Sequence, residues 1–215
     1  KGWDRIGFRL KNGSHEGTRR SDGPVFMKIG LEETLRAAQD SPHWNTPLKK
    51  NGPNGKLRGR GVATGFWMNG GGKSSVDLML SSDGVVMMNE GSADIGGTRA
   101  SIAMQAAEVL GIDAHDVRPS IPDTDSIGFT GVTGGSRTTY ATGYAAYQAS
   151  VELIEKLKER AAMLWKMKAA DVDFKDGIFF PKSDPELRLG FKQLAAKLDG
   201  TGGPVASTAS VDLSN

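Results

Sequence analysis

The sequence predicts an α+β protein with mixed sheets and helices, although the order of its elements alone also permits a mixed α/β arrangement. Apolar residues alternate from Val76 to Leu80, and a turn and a second short apolar run follow, which indicates a β-hairpin. Two runs with helical spacing, residues 98–110 and 136–160, each begin just after a pair of glycines. Because strand signals return at residues 172–180, strands and helices are mixed along the chain, and we adopt the α+β class.

Residues 1–58 are expected to be a connecting segment from a preceding half of the protein. Residues 7–12 match the end of a helix, and residues 29–39 predict a short helix. Residues 41–57 are rich in proline, asparagine, glycine and lysine, which predicts an irregular surface connector.

A second domain is expected over residues 59–215. It begins with a candidate buried strand at residues 61–68 and continues with the hairpin strands at 76–80 and 85–88. The helix predicted at residues 98–110 ends where a glycine follows it.

The remainder of the chain continues the mixture of helices and strands. Residues 117–121 predict a short strand, which leads into a polar loop at 122–132. The longest helix is predicted for residues 136–160, with a further helical run after it. A hairpin at 172–180 and a helix at 191–198 close the predicted order.

Composition excludes several classes of function. The net charge is +2 and the hydrophobic content is 38%, so there is no electrostatic case for nucleic-acid or membrane binding. No apolar run approaches the length that would span a bilayer. The 215 residues contain no cysteine, which removes thiolate chemistry and cysteine-ligated iron–sulfur clusters. The three histidines are far apart and lack the spacing of metal ligands.

Two turns of similar sequence are the strongest functional signal. Each has two glycines, a hydroxyl residue suited to an N-cap and an arginine, and each opens a helix: Gly96-Gly97-Thr98-Arg99 and Gly134-Gly135-Ser136-Arg137. Free N–H groups and the positive end of a helix favour anions, so the pair predicts a clamp for a phosphorylated ligand. The alternative is two ordinary glycine loops before well-capped helices.

Other candidate motifs are weaker. Residues 70–75 (GGGKSS) lack the first glycine of a Walker A loop and precede a strand, so we interpret them as a glycine-rich connection. The two aspartates of residues 123–126 are too few for a calcium site and are expected to form a turn. Three acids stand without an evident basic or nucleophilic partner in the sequence: Glu90, Asp94 and Glu108.

Several of these motifs resemble a known family, the molybdopterin-binding catalytic subunits of xanthine dehydrogenase and aldehyde oxidase. The resemblance lies in residues 90–99 (EGSADIGGTR), 106–112 (AAEVLGI) and 123–125 (DTD), and in residues 133–139 (TGGSRTT) with Gly143. Shorter matches at residues 8–12, 176–177 and 202–204 also occur in the order expected for the family. The resemblance is strong over residues 59–149 and implies a molybdenum-cofactor-binding domain of α+β fold.

The resemblance implies an oxidoreductase that hydroxylates an aldehyde or N-heterocycle with oxygen from water. The implied cofactor is molybdopterin, in its mononucleotide or dinucleotide form, which the isolated chain need not hold. The implied partners are the rest of the catalytic subunit and iron–sulfur and flavin subunits or domains, in the cytoplasm or alternatively the periplasm. The cofactor-binding residues that it implies are Gly96, Gly97, Thr98, Arg99, Thr133, Gly134, Gly135, Ser136, Arg137 and Thr138.

Two departures from the family pattern affect these expectations. Many members have Gly-Gln-Gly in the first turn, and Gly96 occupies the position aligned with that glutamine. The segments expected to hold the substrate loop and the glutamate that acts as general base are not found, so the chain is expected to be an interior fragment. We therefore assign no catalytic or metal-ligating residue and expect the isolated chain to lack hydroxylase activity.

Two other functions stay open from the sequence. One is a stand-alone module that binds a phosphorylated small molecule without catalysis. The other is a structural or assembly domain in which the glycine turns only connect elements. Ligand binding separates the first alternative from a molybdenum hydroxylase domain, and glycine substitutions that change only stability would indicate the second.

Overall fold

The computed structural model describes residues 2–67, 69–120 and 122–214. The chain forms two units, Lys1–Phe66 and Trp67–Asn215. The predicted boundary between residues 58 and 59 lies shortly before this division, and its meaning as a functional domain boundary stays a prediction.

The first unit contains three helices: α1 (Arg5–Asn12), α2 (Leu31–Asp40) and α3 (Pro42–Asn45). A 3₁₀ turn follows at Pro53–Gly55. The Asp4 carboxylate caps α1 by accepting a hydrogen bond from the Gly7 N–H at 2.6 Å. Ile6 and Leu35 are buried between α1 and α2. The helix predicted at residues 29–39 is confirmed within two residues.

The buried strand predicted at residues 61–68 is wrong for the part that the structure describes. Residues 61–67 form no strand, and Phe66 and Trp67 are 64% and 74% exposed. Residue 68 lies outside the described residues. Glycines at positions 61 and 65 weaken strand formation because they add conformational freedom and give no side chain to pack.

A four-stranded sheet forms the centre of the second unit. Its strands are β1 (Lys73–Leu80), β2 (Val86–Glu90), β3 (Val117–Ser120) and β7 (Val205–Asp212), in the order β3-β2-β1-β7. β1 is antiparallel to β2 and to β7, which confirms the predicted hairpin. β2 and β3 are parallel, as expected for strands joined through a helix. The strand β7 has no counterpart in the predicted order.

Two long helices, α4 (Thr98–Leu110) and α5 (Thr138–Trp165), pack on one face of this sheet and on each other. The bounds of α4 agree with the prediction. The runs predicted after residue 136 form one helix, which ends where Lys166 adopts a left-handed φ of 53°. The apolar residues of β1 alternate toward these helices, and the shared core includes Val76, Leu78, Leu80, Met88, Ile102, Leu110, Leu153 and Leu157.

A smaller sheet continues the second unit. Its strands are β4 (Val172–Lys175), β5 (Ile178–Pro181) and β6 (Leu189–Gly190), and α6 (Phe191–Ala195) follows. β4 and β5 form the predicted hairpin, while the predicted helix 191–198 ends earlier and gives way to a 3₁₀ turn. No helix among the described residues is long and apolar enough to cross a membrane.

Candidate functional site

The two glycine turns line a common cavity. The first lies between β2 and α4, and the second leads into α5. α4 and α5 pack against each other, and the terminal amide of Gln105 on α4 lies against Gly143 on α5, in the space that a Cβ would occupy. The cavity has a volume of about 390 Å³ and is lined by Ile95, Thr98, Thr133, Gly134, Ser136, Arg137, Thr138 and Thr139. Residues 38 positions apart in the sequence thus meet at one site, as the clamp hypothesis requires.

Six of the ten predicted binding residues line this cavity: Thr98, Thr133, Gly134, Ser136, Arg137 and Thr138. The other four, Gly96, Gly97, Arg99 and Gly135, belong to the same two turns but are not among its lining residues. Ile95 and Thr139 line the cavity and were not predicted. Their position beside the turn residues was the only signal that could have identified them.

The first turn is not capped in the predicted way. The Thr98 hydroxyl accepts a hydrogen bond from the Ile95 N–H at 3.2 Å, so the predicted role of Thr98 as N-cap of α4 is wrong. The Asp94 carboxylate accepts instead from the Arg99 N–H at 3.2 Å. An acidic group therefore already lies at the positive end of α4, where it weakens the attraction for a further anion.

Glycine is required by the conformation of the first turn. Gly96 and Gly97 have φ values of 61° and 81°, and a Cβ at either position would meet no neighbouring atom. The constraint is therefore conformational, and a side-chain-bearing residue at Gly96 would cost about 1–2 kcal/mol. This accounts for glycine at the position that the resemblance aligns with a glutamine.

The second turn is also not capped in the predicted way. Ser136 has a φ of 55°, and its hydroxyl accepts a hydrogen bond from the Trp67 indole N–H at 2.7 Å. The helix begins two residues later without a side-chain cap, so the predicted N-cap role of Ser136 is wrong. Among the described residues, no acceptor pairs with the N–H groups of residues 138–140. The N-terminus of α5 therefore keeps three free donors, whereas at α4 the N–H groups of Thr98 and Arg99 are already paired.

Arg137 fixes the position of the second turn. Its side chain is buried, and it donates to the carbonyl oxygens of Gly71, Lys73 and Gly131 and to the Ser74 hydroxyl. A fifth, longer contact of 3.4 Å reaches a further carbonyl in the loop before the turn. Since a guanidinium has five N–H donors, these contacts occupy all of them. Arg137 joins the start of β1 to the loop that precedes α5.

Thr138 is a buried polar residue without a partner for its hydroxyl. It is only 4% exposed, lines the cavity, and its Oγ1 has no hydrogen-bond partner among the described residues. Buried hydroxyls are nearly always paired, because an unpaired one costs free energy. The unpaired hydroxyl and the free N–H groups of residues 138–140 belong to the first turn of α5, and Thr138 and Thr139 of this turn line the cavity.

Glu90 is not isolated, contrary to the expectation from the sequence. Its carboxylate is buried at the end of β2 and accepts a hydrogen bond from the Ser92 N–H at 2.8 Å. The Arg99 Nε lies 3.9 Å from its other oxygen. Burial raises the pKa of Glu90, and the hydrogen bonds from Ser92 and the charge of Arg99 only partly oppose this. The side chain of Arg99, which belongs to the first turn, therefore faces the buried carboxylate of Glu90.

Glu90 is expected to lower stability at neutral pH. Its raised folded-state pKa means that the folded protein binds the proton more tightly than the unfolded chain does. The stability that this contributes is complete below the usual glutamate pKa and is lost as the pH rises through the folded-state pKa. The Glu90→Gln variant should therefore gain stability relative to the wild type as the pH increases from about 4.3 to neutral.

Urea unfolding at a series of pH values tests this expectation. Glu108→Gln, which removes an exposed carboxylate on α4, provides a matched control for the change in net charge. A stability difference between the wild type and Glu90→Gln that does not change with pH would contradict the expected burial effect.

The remaining motifs have structural roles. Asp123 accepts a hydrogen bond from the Asp125 N–H at 2.9 Å, which confirms the predicted turn. Residues 70–72 lead into β1, as predicted for a glycine-rich connection. Among the described residues, no group of three or more histidine or acidic side chains could hold a metal ion.

Comparison with known proteins identifies the family. Residues 37–213 match the family model described as the molybdopterin cofactor-binding domain. The "Probable hypoxanthine oxidase XdhD" of Escherichia coli (strain K12) is 33% identical over 163 residues, which cover 73% of this chain and 17% of that protein. The xanthine dehydrogenase molybdenum-binding subunit of Escherichia coli O157:H7 is 28% identical over 205 residues, 90% of this chain and 27% of the subunit.

A solved structure confirms the likeness of fold. The aldehyde oxidoreductase from Desulfovibrio gigas superposes with a TM-score of 0.57 at 18% identity, over 99% of this chain and 21% of that chain. The chain thus spans about a quarter or less of the relatives that it matches, and the comparisons give no support to a stand-alone module. The resemblance inferred from the sequence motifs is confirmed: the chain belongs to the molybdopterin cofactor-binding domain family of xanthine dehydrogenase- and aldehyde oxidase-type proteins.

Proposed function

We propose that the cavity between the two glycine turns binds the phosphate and pterin end of molybdopterin. The observation that supports this most directly is the donor set at the start of α5. Three free N–H groups and the unpaired Thr138 hydroxyl lie together at the positive end of a 28-residue helix. These donors have no acceptor among the described residues, and a phosphate would supply both oxygen acceptors and negative charge.

The two turns would have different tasks. The second turn, through Thr133, Gly134 and Thr138, would bind the anionic group with backbone N–H and hydroxyl donors. The first turn would bring the exposed backbone of Gly96 and Gly97 close to the metal end of the cofactor, since neither position has a side chain to obstruct it. The carboxylate of Asp94 at the start of α4 favours this division, because it disfavours a phosphate there.

Arg137 would position the second turn without touching the cofactor. Every donor of Arg137 is used within the protein, and Arg99 faces the buried Glu90 carboxylate. Arg137 would hold the backbone of the second turn in place, and Arg99 would balance the charge of Glu90. For Arg137 this differs from direct binding, the role that the family resemblance implied for both arginines.

The whole protein would be an oxidoreductase that hydroxylates an aldehyde or N-heterocycle. Its molybdopterin cofactor would be in the mononucleotide or the dinucleotide form. Molybdopterin, when bound, supplies the metal centre for hydroxylation with oxygen from water and for electron transfer toward iron–sulfur and flavin partners. The similarity to xanthine dehydrogenase and aldehyde oxidoreductase subunits supports this proposal. The residues of this chain would bind and orient the cofactor, and the isolated chain would be inactive.

Calorimetry with a pterin monophosphate tests the binding proposal. Thr138→Val should weaken binding about five- to tenfold, because it removes one hydrogen bond to a charged acceptor. Thr208→Val, an exposed site on β7 outside the cavity, should leave the affinity unchanged. Equal binding of an ordinary nucleotide such as AMP, or an unchanged affinity in Thr138→Val, would contradict the proposed site.

A further inference from the structure

A chain of buried hydroxyls connects the two turns through the interior. The Thr142 Oγ1 lies 3.0 Å from the Ser74 Oγ and 2.7 Å from the Ser92 Oγ. All three residues are at most 2% exposed. The three hydroxyls form a buried hydrogen-bonded network, in which water does not take the place of a missing hydroxyl.

Each end of this chain reaches one of the turns. On one side, the Ser74 hydroxyl accepts a hydrogen bond from Arg137 at 2.8 Å, and Arg137 holds the second turn. On the other side, Ser92 precedes the first turn, and its backbone N–H binds the Glu90 carboxylate that faces Arg99. Thr142 is the one member that contacts both sides, one helical turn inside α5 from the cavity.

We propose that Thr142 is a positioning residue that fixes the two turns relative to each other and so sets the shape of the cavity. It does not line the cavity, and it would act only through Ser74 and Ser92. A helix packed on a sheet by apolar contacts alone can shift slightly, whereas a hydroxyl with two fixed partners admits one arrangement. The inference rests on the proposed function only for the identity of the ligand that the cavity holds.

Hydrogen exchange of backbone amides in the 215-residue chain tests this coupling. Two amides report on the first turn, Ser92 and Arg99, and two on the second, Gly131 and Arg137, since each donates a hydrogen bond there. Thr142→Val should raise exchange on both sides by about fivefold, the factor expected for one lost buried hydrogen bond. Thr142→Ser, which keeps the hydroxyl, should restore the wild-type rates.

Ser207→Ala is the matched control, because it also removes a buried hydroxyl, one that donates to the Ala149 carbonyl on α5. It should change global stability without a selective effect on the four reporter amides. Faster exchange on one side only, or equal effects of Thr142→Ser and Thr142→Val, would overturn the proposal.

A double-mutant cycle covers the case in which Thr142→Val fails to fold. Ser74→Ala and Ser92→Ala should have non-additive effects on exchange at the reporter amides, because both act through Thr142. Additive effects would show that the two sides are independent. Pyrophosphate binding to the wild-type chain, measured in parallel, tests the proposed function separately, since its absence leaves the exchange result intact.

Discussion

Replacing Arg137 with alanine is expected to destabilise the second unit by about 3 kcal/mol or more, because several buried acceptors lose their donor at once. The carbonyl groups of Gly71, Lys73 and Gly131 each receive a hydrogen bond from this guanidinium. The side chain is 6% exposed, so water has little access to replace it. Urea unfolding followed by circular dichroism measures the change.

Two variants separate this effect from the loss of a positive charge. Arg137→Lys keeps the charge but has three donors on a single nitrogen, so it should recover only part of the stability. Arg118→Ala removes an exposed arginine from β3 and should change stability by no more than about 0.5 kcal/mol. If Arg137→Ala and Arg118→Ala were equally stable, Arg137 would not organise the second turn as its contacts indicate.

The role of Arg137 also shows what the sequence could not predict. The pattern of two glycines, a hydroxyl residue and an arginine located both turns correctly. It suggested that the hydroxyl would cap the helix, and the family resemblance implied that the arginine binds the cofactor. In the second turn each side chain has a tertiary partner instead: the Ser136 hydroxyl pairs with Trp67, 69 residues away, and Arg137 with the start of β1. Local patterns cannot reveal partners so distant in the chain.

Local signals predicted the fold where they were sufficient. The bounds of α4 followed from glycines on both sides, since Gly97 and Gly111 have left-handed backbones that begin and end the helix. β7 was missed because its sequence is rich in alanine and serine and only two of its residues are valine. It is a strand because it pairs with β1 over eight residues, which is a tertiary cause.

The candidate site was only partly predictable for the same reason. Both turns were identified, but their meeting at one cavity depends on the packing of α4 against α5. The pairing of Glu90 with Arg99 bridges the end of β2 and the first turn of α4. Spacing in the sequence gives no information on that distance.

Replacing Gly111 with alanine is expected to destabilise the second unit by about 3 kcal/mol, the sum of backbone strain and a steric overlap. Gly111 ends α4 with a φ of 61°. Its Cα faces the hairpin turn between β4 and β5, where a Cβ would overlap the backbone nitrogen of Gly177. Since the overlapping atom belongs to the backbone, the small sheet would have to move away from α4. Urea unfolding of the variant measures the loss.

Comparison with Gly96→Ala separates the steric overlap from the backbone strain. Gly96 has the same φ of 61°, but a Cβ there would meet no atom within 4 Å. It should therefore show only the cost of the left-handed backbone, about 1–2 kcal/mol. The excess loss in Gly111→Ala then measures how closely the small sheet must approach α4. Equal losses in the two variants would mean that the hairpin adjusts freely, and that the contact between Gly111 and Gly177 does not hold the small sheet in place.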